Sequence, residues 1–239
     1  CGDMGWESCA LRQKINVLRL WCRLIMMSPT RLTKRIFLWD YELSLNGTRN
    51  WSYRVMQLLR ETDMEAYYEN IFTPLDTTSF IQECRKIFKH SESTQWQTDI
   101  EKYPKLRTYR NIKIHFGTEK YLTCFLSTDL RSVLAQLRCG ILPLKIETGR
   151  FSSPFIPAER RICDVCHKEI EDEVHFLFKC PLYNLERVDW CYDLSQHIDL
   201  SNSNKHLVMQ EIFENKFAIK RTAYYIKACL CKRSNHLSS

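Results

Sequence analysis

Apolar residues recur at three- and four-residue spacing along most of the chain, and the alternation that a strand needs is nearly absent. Leu11, Ile15, Leu18, Trp21, Cys22 and Ile25 mark one face of a helix over residues 9–27, with Arg12, Arg19 and Arg23 on another. Ser28-Pro29 supplies an N-cap and a first-turn proline for a second helix, whose apolar side is Leu32, Ile36 and Trp39. Asn46-Gly47 reads as a turn, and Asn50 caps a third helix holding Trp51, Val55, Leu58 and Leu59. A fourth begins near Ser79 with Phe80, Ile81, Cys84, Ile87 and Phe88 inward, and a shorter fifth includes Trp96 and Ile100. Stripes of this kind are expected to pack as core.

From Pro104 the pattern becomes irregular and basic. Lys105, Arg107, Arg110 and Lys113 interleave with Tyr103, Tyr109 and Phe116, which suits either base stacking beside phosphate contacts or an amphipathic connector whose rings pack down. Ser127 opens a helix with Leu130, Val133, Leu134 and Leu137 inward, Arg131 and Arg138 facing away, and Gly140 at its C-terminal cap. The stretch GILPLKIETGRF is extended or turn-like. A helix over Tyr183–Tyr192, a polar linker at 199–204 and one long last helix follow, the last carrying Val208, Ile212, Ile219, Ala223, Ile226 and Leu230. No internal repeat or low-complexity segment is present.

The densest chemistry lies at RICDVCHKEIEDEVHFLFKCPLY. Cys163, Cys166, His175 and Cys180 give C-x2-C-x8-H-x4-C, four soft or borderline ligands within eighteen positions, as a closed tetrahedral zinc site requires. Unpaired thiols in a small core are the competing account. Cys163-x-x-Cys166-His167 also matches a haem-attachment signature, but that would leave His175 and Cys180 idle. His167 is expected to face solvent, with replacement of His175 as the nitrogen ligand the alternative. Glu169, Glu171, Asp172 and Glu173 are read as first-turn acids complementing a helix dipole. The expected fold is therefore mainly α: a helical bundle over 1–103, a basic helix with a small zinc-stapled segment over 104–192, and a linker with a C-terminal helix over 193–239.

Composition narrows the setting. With 44% apolar residues the chain can bury real cores, and nine of its twelve cysteines are scattered outside the cluster without a disulfide-like framework. Reduced thiols in a nuclear or cytoplasmic protein are expected. The start carries no signal peptide, no apolar run approaches a membrane span, and Cys1 in first position suggests a fragment of a longer chain. The net charge of +7 is concentrated: residues 101–161 hold twelve Lys or Arg against five acids. Such a block suits a nucleic-acid contact surface or an ordinary solvated face.

RSVLAQLRCGILPLKIETGRF at 131–151 and ERRICDVCHKEIEDEVHFLFKCPLYNLER at 159–187 resemble the zinc-binding segment that follows the reverse transcriptase domain in non-LTR retrotransposon polyproteins. An Arg/Leu-rich helix, G-x-L-x-L-x-x-x-x-G-R, C-x-x-C and E-x-E-x-H-x-x-x-x-C carry the resemblance, and the text from Asp3 to Asp40 is similar to the region between polymerase thumb and zinc segment. The resemblance implies one structural Zn2+ on Cys163, Cys166, His175 and Cys180. RNA or DNA, and an upstream polymerase domain of the parent polyprotein, are the implied partners. It carries over no catalytic residue. Asp-Asp, which polymerases of this kind use for metal, is missing from the sequence, so a non-enzymatic module is expected. Arg138, Lys145, Arg150, Arg160 and Arg161 are the candidate nucleic-acid contacts, with Gly149 leaving room for a phosphate. The competing account has Arg150 bonding buried carbonyls; the alternative function is a zinc-stapled module contacting other domains of the parent.

Overall fold

The computed structural model describes residues 2–73 and 75–238. It is mainly helical, and among the described residues the one bridge outside helices pairs Ile162 with Ile170. The chain forms two compact units, residues 6–96 and residues 97–238, with residues 2–5 belonging to the second. The change of unit thus falls before the expected boundary at 103/104 and leaves no separate unit at 193–239.

Helices α1 (Cys9–Ile25), α2 (Leu32–Leu45), α3 (Trp51–Arg60), the short α4 (Ala66–Glu69) and most of α5 (Thr77–Lys102) build the first unit. Local sequence sets their starts. Ser8 Oγ accepts from Leu11 N at 3.0 Å and Asn50 Oδ1 from Tyr53 N at 2.9 Å, satisfying first-turn donors that the helices leave free. Leu11, Ile15, Leu18, Trp21, Val55, Leu58, Phe80 and Cys84 share one core.

Helix α2 departs from expectation. It begins at Leu32 without a side-chain cap, and Leu32, Ile36 and Trp39 are 67%, 55% and 63% exposed. The buried face is instead Lys34, Phe37, Tyr41 and Ser44. Lys34 Nζ donates to the last carbonyls of α1, Leu24 O at 3.0 Å and Ile25 O at 2.8 Å, while Tyr41 Oη donates to Tyr68 O at 2.9 Å. These bonds remove the cost of burying polar atoms, so a face that looks polar in sequence turns inward. The expected fourth and fifth helices are one continuous α5.

In the second unit, the expected 104–116 connector is largely structured. A 3-10 turn leads into α6 (Arg107–Ile112), and Thr108, Tyr109, Ile112 and Lys113 are buried. Next come α7 (Lys120–Thr123), α8 (Thr128–Cys139), α9 (Lys145–Thr148), α10 (Asn184–Ser195), α11 (Lys205–Glu214) and α12 (Lys216–Ser238). Gly140 ends α8 at φ +64°, the left-handed cap that glycine adopts cheaply. The expected single last helix is broken at Asn215, whose side chain accepts from Phe217 N at 2.9 Å and Ala218 N at 3.1 Å and so starts α12 afresh. Leu134 and Leu137, Leu142 and Leu144, Phe176 and Leu177, Trp190, Ile212 and Ile226 fill one core. Trp190 stacks on Tyr225 with centroids 4.5 Å apart.

Arg138 corrects the reading of α8. It is fully buried rather than facing away from the core, ion-paired to Asp3 at 3.2 Å and Glu119 at 2.9 Å. Its guanidinium lies over the rings of Phe213, Tyr121 and Tyr109. Asp3 O also accepts from Glu119 N at 2.9 Å, which fastens residues 2–5 to this unit. Burial pushes the Asp3 carboxyl up, but the charge and hydrogen bonds of Arg138, with those of the tyrosines, outweigh it and hold the group below its ordinary 3.8. A carboxyl lowered in the folded state stabilises at every pH above its unfolded value and loses that contribution only as pH falls through its folded value. Asp3→Asn should therefore lower unfolding free energy by about 2 kcal/mol, the scale of hydrogen bonds to a charged group. In urea titrations that gap should stay flat from pH 8 to 5; equal stabilities, or a gap that fades in that window, would contradict this account.

Candidate metal centre

The first two ligands sit at the tip of a small hairpin. Ile162 bridges Ile170, Cys163 N donates to Glu169 O at 2.9 Å and Glu171 N to Arg161 O at 3.0 Å, so residues 161–163 and 169–171 run side by side. The turn between them is closed by His167 N on Cys163 O at 3.0 Å, with His167 itself at φ +55°.

The other two ligands flank a π-helical turn, His175–Lys179, in which Cys180 N donates to His175 O at 2.9 Å. In an α-helix, five residues would rotate the second side chain ~140° past a full turn. The wider π turn brings residues five apart toward one side, as a shared ligand set needs. Asp172 Oδ1 accepts from His175 N at 2.8 Å and sets the start of the turn. Its far end is held by carbonyl acceptors: Leu177 O takes Arg187 Nε at 3.0 Å and Tyr225 Oη at 2.9 Å, and Cys180 O takes Arg187 Nη2 at 2.7 Å.

These two pieces bring Cys163, Cys166 and Cys180 Sγ together with a ring nitrogen of His175, all within 4.8 Å of one another. Cys163 Sγ is 3.9 Å from Cys180 Sγ, and Cys166 Sγ is 3.4 Å from His175 Nε2. Cys163, His175 and Cys180 are buried, Cys166 partly so. His167 is exposed and lies outside the group. The four could hold one metal ion, and the donors, three thiols and an imidazole, suit a soft or borderline cation. Burial pushes the Cys163 thiol up to about 12 and raises Cys180, while burial lowers His175 against the pull of nearby acids. A divalent cation would reverse this balance for the thiols, because coordination deprotonates them.

The acidic run does more than complement a dipole. Asp172 caps the turn, but Glu171 and Glu173 are buried and reach distant partners. Glu171 accepts from both outer nitrogens of Arg233 on α12, Nη2 at 2.9 Å, and from Lys145 N at 2.7 Å, with Cys163 Sγ 3.5 Å away. Glu173 accepts from Arg107 at 2.6 Å and Thr108 Oγ1 at 2.8 Å. Exposed Glu169 bonds Lys179 at 2.8 Å and lies 3.7 Å from His175 Nδ1, beyond direct hydrogen bonding. Glu171, Arg233 and Arg187 are the supports that sequence reasoning missed. Arg233 is 62 residues from Glu171, and no local pattern couples them.

The five candidate contact cations separate sharply. Arg138 is in the core. Arg161 is also buried, with Nη1 donating to Ile146 O at 2.7 Å and Nε to Ile156 O at 2.9 Å. The carbonyl-bonding role considered for Arg150 thus falls to Arg161. Gly149 leaves room for Arg161 rather than for a phosphate: a Cβ there would lie 2.9 Å from Arg161 Cγ. Lys145 pairs with Asp164 inside the C-x-x-C turn at 2.9 Å. Arg150 pairs with Glu147 at 3.5 Å and is half-buried, and Arg160 is exposed.

The chain matches no protein-family model, no curated protein and no solved structure. The geometry predicts one bound ion per chain, retained in His167→Gly and lost in Cys180→Ala and His175→Ala, with loss of ordered structure around residues 161–183. Metal stoichiometry by elemental analysis checks this; a full complement in His175→Ala would remove His175 from the set.

Proposed function

We propose that residues 97–238 form a non-catalytic nucleic-acid-binding module stapled by one structural Zn2+. The zinc reading is supported by separations: Zn–S near 2.3 Å and Zn–N near 2.0–2.1 Å in a tetrahedron imply edges of about 3.8 Å (S to S) and about 3.6 Å (S to N). Two edges found here, 3.9 Å and 3.4 Å, are close to these, and the whole set lies within 4.8 Å. Four protein ligands fill such a shell and leave no position for a reactive water.

The observation that carries the binding reading is the loop entering the first ligand. Exposed Arg160 and half-buried Arg150, paired to Glu147 at 3.5 Å, flank it, and Arg161 anchors its root by bonding the Ile146 and Ile156 carbonyls. Cations fixed by a staple lose little further freedom when phosphate arrives, so their affinity is not consumed in ordering the loop. The resemblance to the segment downstream of reverse transcriptase agrees with RNA or DNA as ligand and with an upstream polymerase domain as covalent neighbour. The free cysteines suit a reducing nuclear or cytoplasmic setting. No described helix is long and apolar enough to cross a membrane.

One observation favours a second reading, a module that docks other domains of a parent protein. Leu185, Val188 and Tyr192 form a stripe on α10 and are 76%, 67% and 72% exposed.

The two readings part on salt. Phosphate contacts make log affinity fall with log salt by ~0.9 per phosphate on duplex DNA and ~0.7 on single strands. Arg150→Ala with Arg160→Ala should weaken binding to every sequence and flatten the slope by up to two such increments, leaving thermal stability unchanged. Arg161→Ala should instead lower stability. Affinity that does not respond to salt, or a full slope in the double variant, would sink the nucleic-acid assignment.

A further inference from the structure

The same loop carries two large rings that are mostly exposed. Phe151 is 78% exposed and Phe155 66%, separated by Ser152, Ser153 and Pro154. They do not dangle from a loose segment. Phe151 N donates to Thr148 O at 3.1 Å, and the buried Arg161 guanidinium lies 5.5 Å from the Phe155 centroid while bonding the Ile146 and Ile156 carbonyls. A cation on one side of Phe155 leaves the rest of the ring open. Arg150 and Arg160 stand at the two ends of the loop, and Glu159 is the only acid between Gly149 and Arg161.

We propose that Phe151 and Phe155 form a stacking platform for unpaired bases, making single-stranded nucleic acid the ligand class of this module. The inference rests on the nucleic-acid reading above and adds the state of the strand. Exposed rings between cations match a single strand, whose bases offer free π-faces while its phosphates meet the arginines. In a duplex those faces are already stacked on each other and cannot reach the rings. The flanking positive charge also favours a polyanion over an apolar protein surface, which would leave Arg150 and Arg160 facing an unpaired interface.

The test uses the whole chain loaded with metal and two probes of equal length, a labelled 20-nucleotide oligothymidylate and a mixed-sequence duplex, titrated across a salt series. Wild type should prefer the single strand. Stacking is worth about 5- to 160-fold per base, so Phe151→Leu with Phe155→Leu should weaken single-strand binding at least ~10-fold, leaving the salt slope, the duplex affinity and the thermal midpoint unchanged. Phe155→Trp in the Phe151→Leu background should restore part of the loss, since an indole stacks and leucine does not. Single-strand affinity indifferent to both rings, or a duplex preference in wild type, overturns the platform while the binding module stands and turns the loop toward a protein partner. Absence of binding to either probe overturns the nucleic-acid reading itself.

Discussion

Glu171 is the carboxylate through which the second unit is assembled. It sits at the end of the ligand hairpin, touches Cys163, receives the first amide of α9 and is clasped by Arg233 from α12. Arg233 Nε in turn donates to Pro143 O at 3.3 Å, so the guanidinium spans the stretch before α9 as well. Both side chains of the pair are almost wholly buried. A buried ion pair is weak evidence for net stability, but removing one member is costly, about 3–5 kcal/mol, because the other charge is stranded. What the pair supplies is registry: the hairpin, α9 and α12 can satisfy both ions only in one arrangement. The ligand cluster and the helical core are therefore not separate modules joined by a linker.

The basic excess has the same character. Lys105 pairs with Glu147, Arg107 with Glu173 and Lys113 with Glu119, while Arg138 and Arg161 are buried. Guanidinium groups suit the buried positions, Arg138 and Arg161, because a planar fork can meet carboxylates and carbonyls while its faces lie against rings. A segment rich in Lys and Arg can thus hold a fold together as readily as it can attract a polyanion, and charge counts do not separate the two.

The candidate metal cluster was legible because a metal's demands are local: C-x-x-C and His-x4-Cys are spacings within two short turns. The caps at Asn50 and Ser127 were legible for the same reason, each bonding an amide three residues ahead. Helix α2 was not, because it carries two stripes and the choice between them depended on the carbonyls at the end of α1. Arg138 and Arg161 were not, because their partners are an aspartate 135 residues away and main-chain oxygens that no residue type reveals. The π turn left its trace in the five-residue step from His175 to Cys180, which an α-helix would misalign.

The attachment of residues 2–5 bears on how the chain acquires its structure during synthesis. Asp3 is made 135 residues ahead of Arg138. At ~5–20 residues per second the ribosome needs roughly 7–27 s to cover that distance. Within that interval residues 6–96 emerge with a complete core of their own, whereas residues 2–5, ahead of them, still lack their partners in the second unit. Order of translation and order of assembly are thus reversed for residues 2–5: they are made before the first unit but can settle only after it, closing a unit whose remainder is translated later.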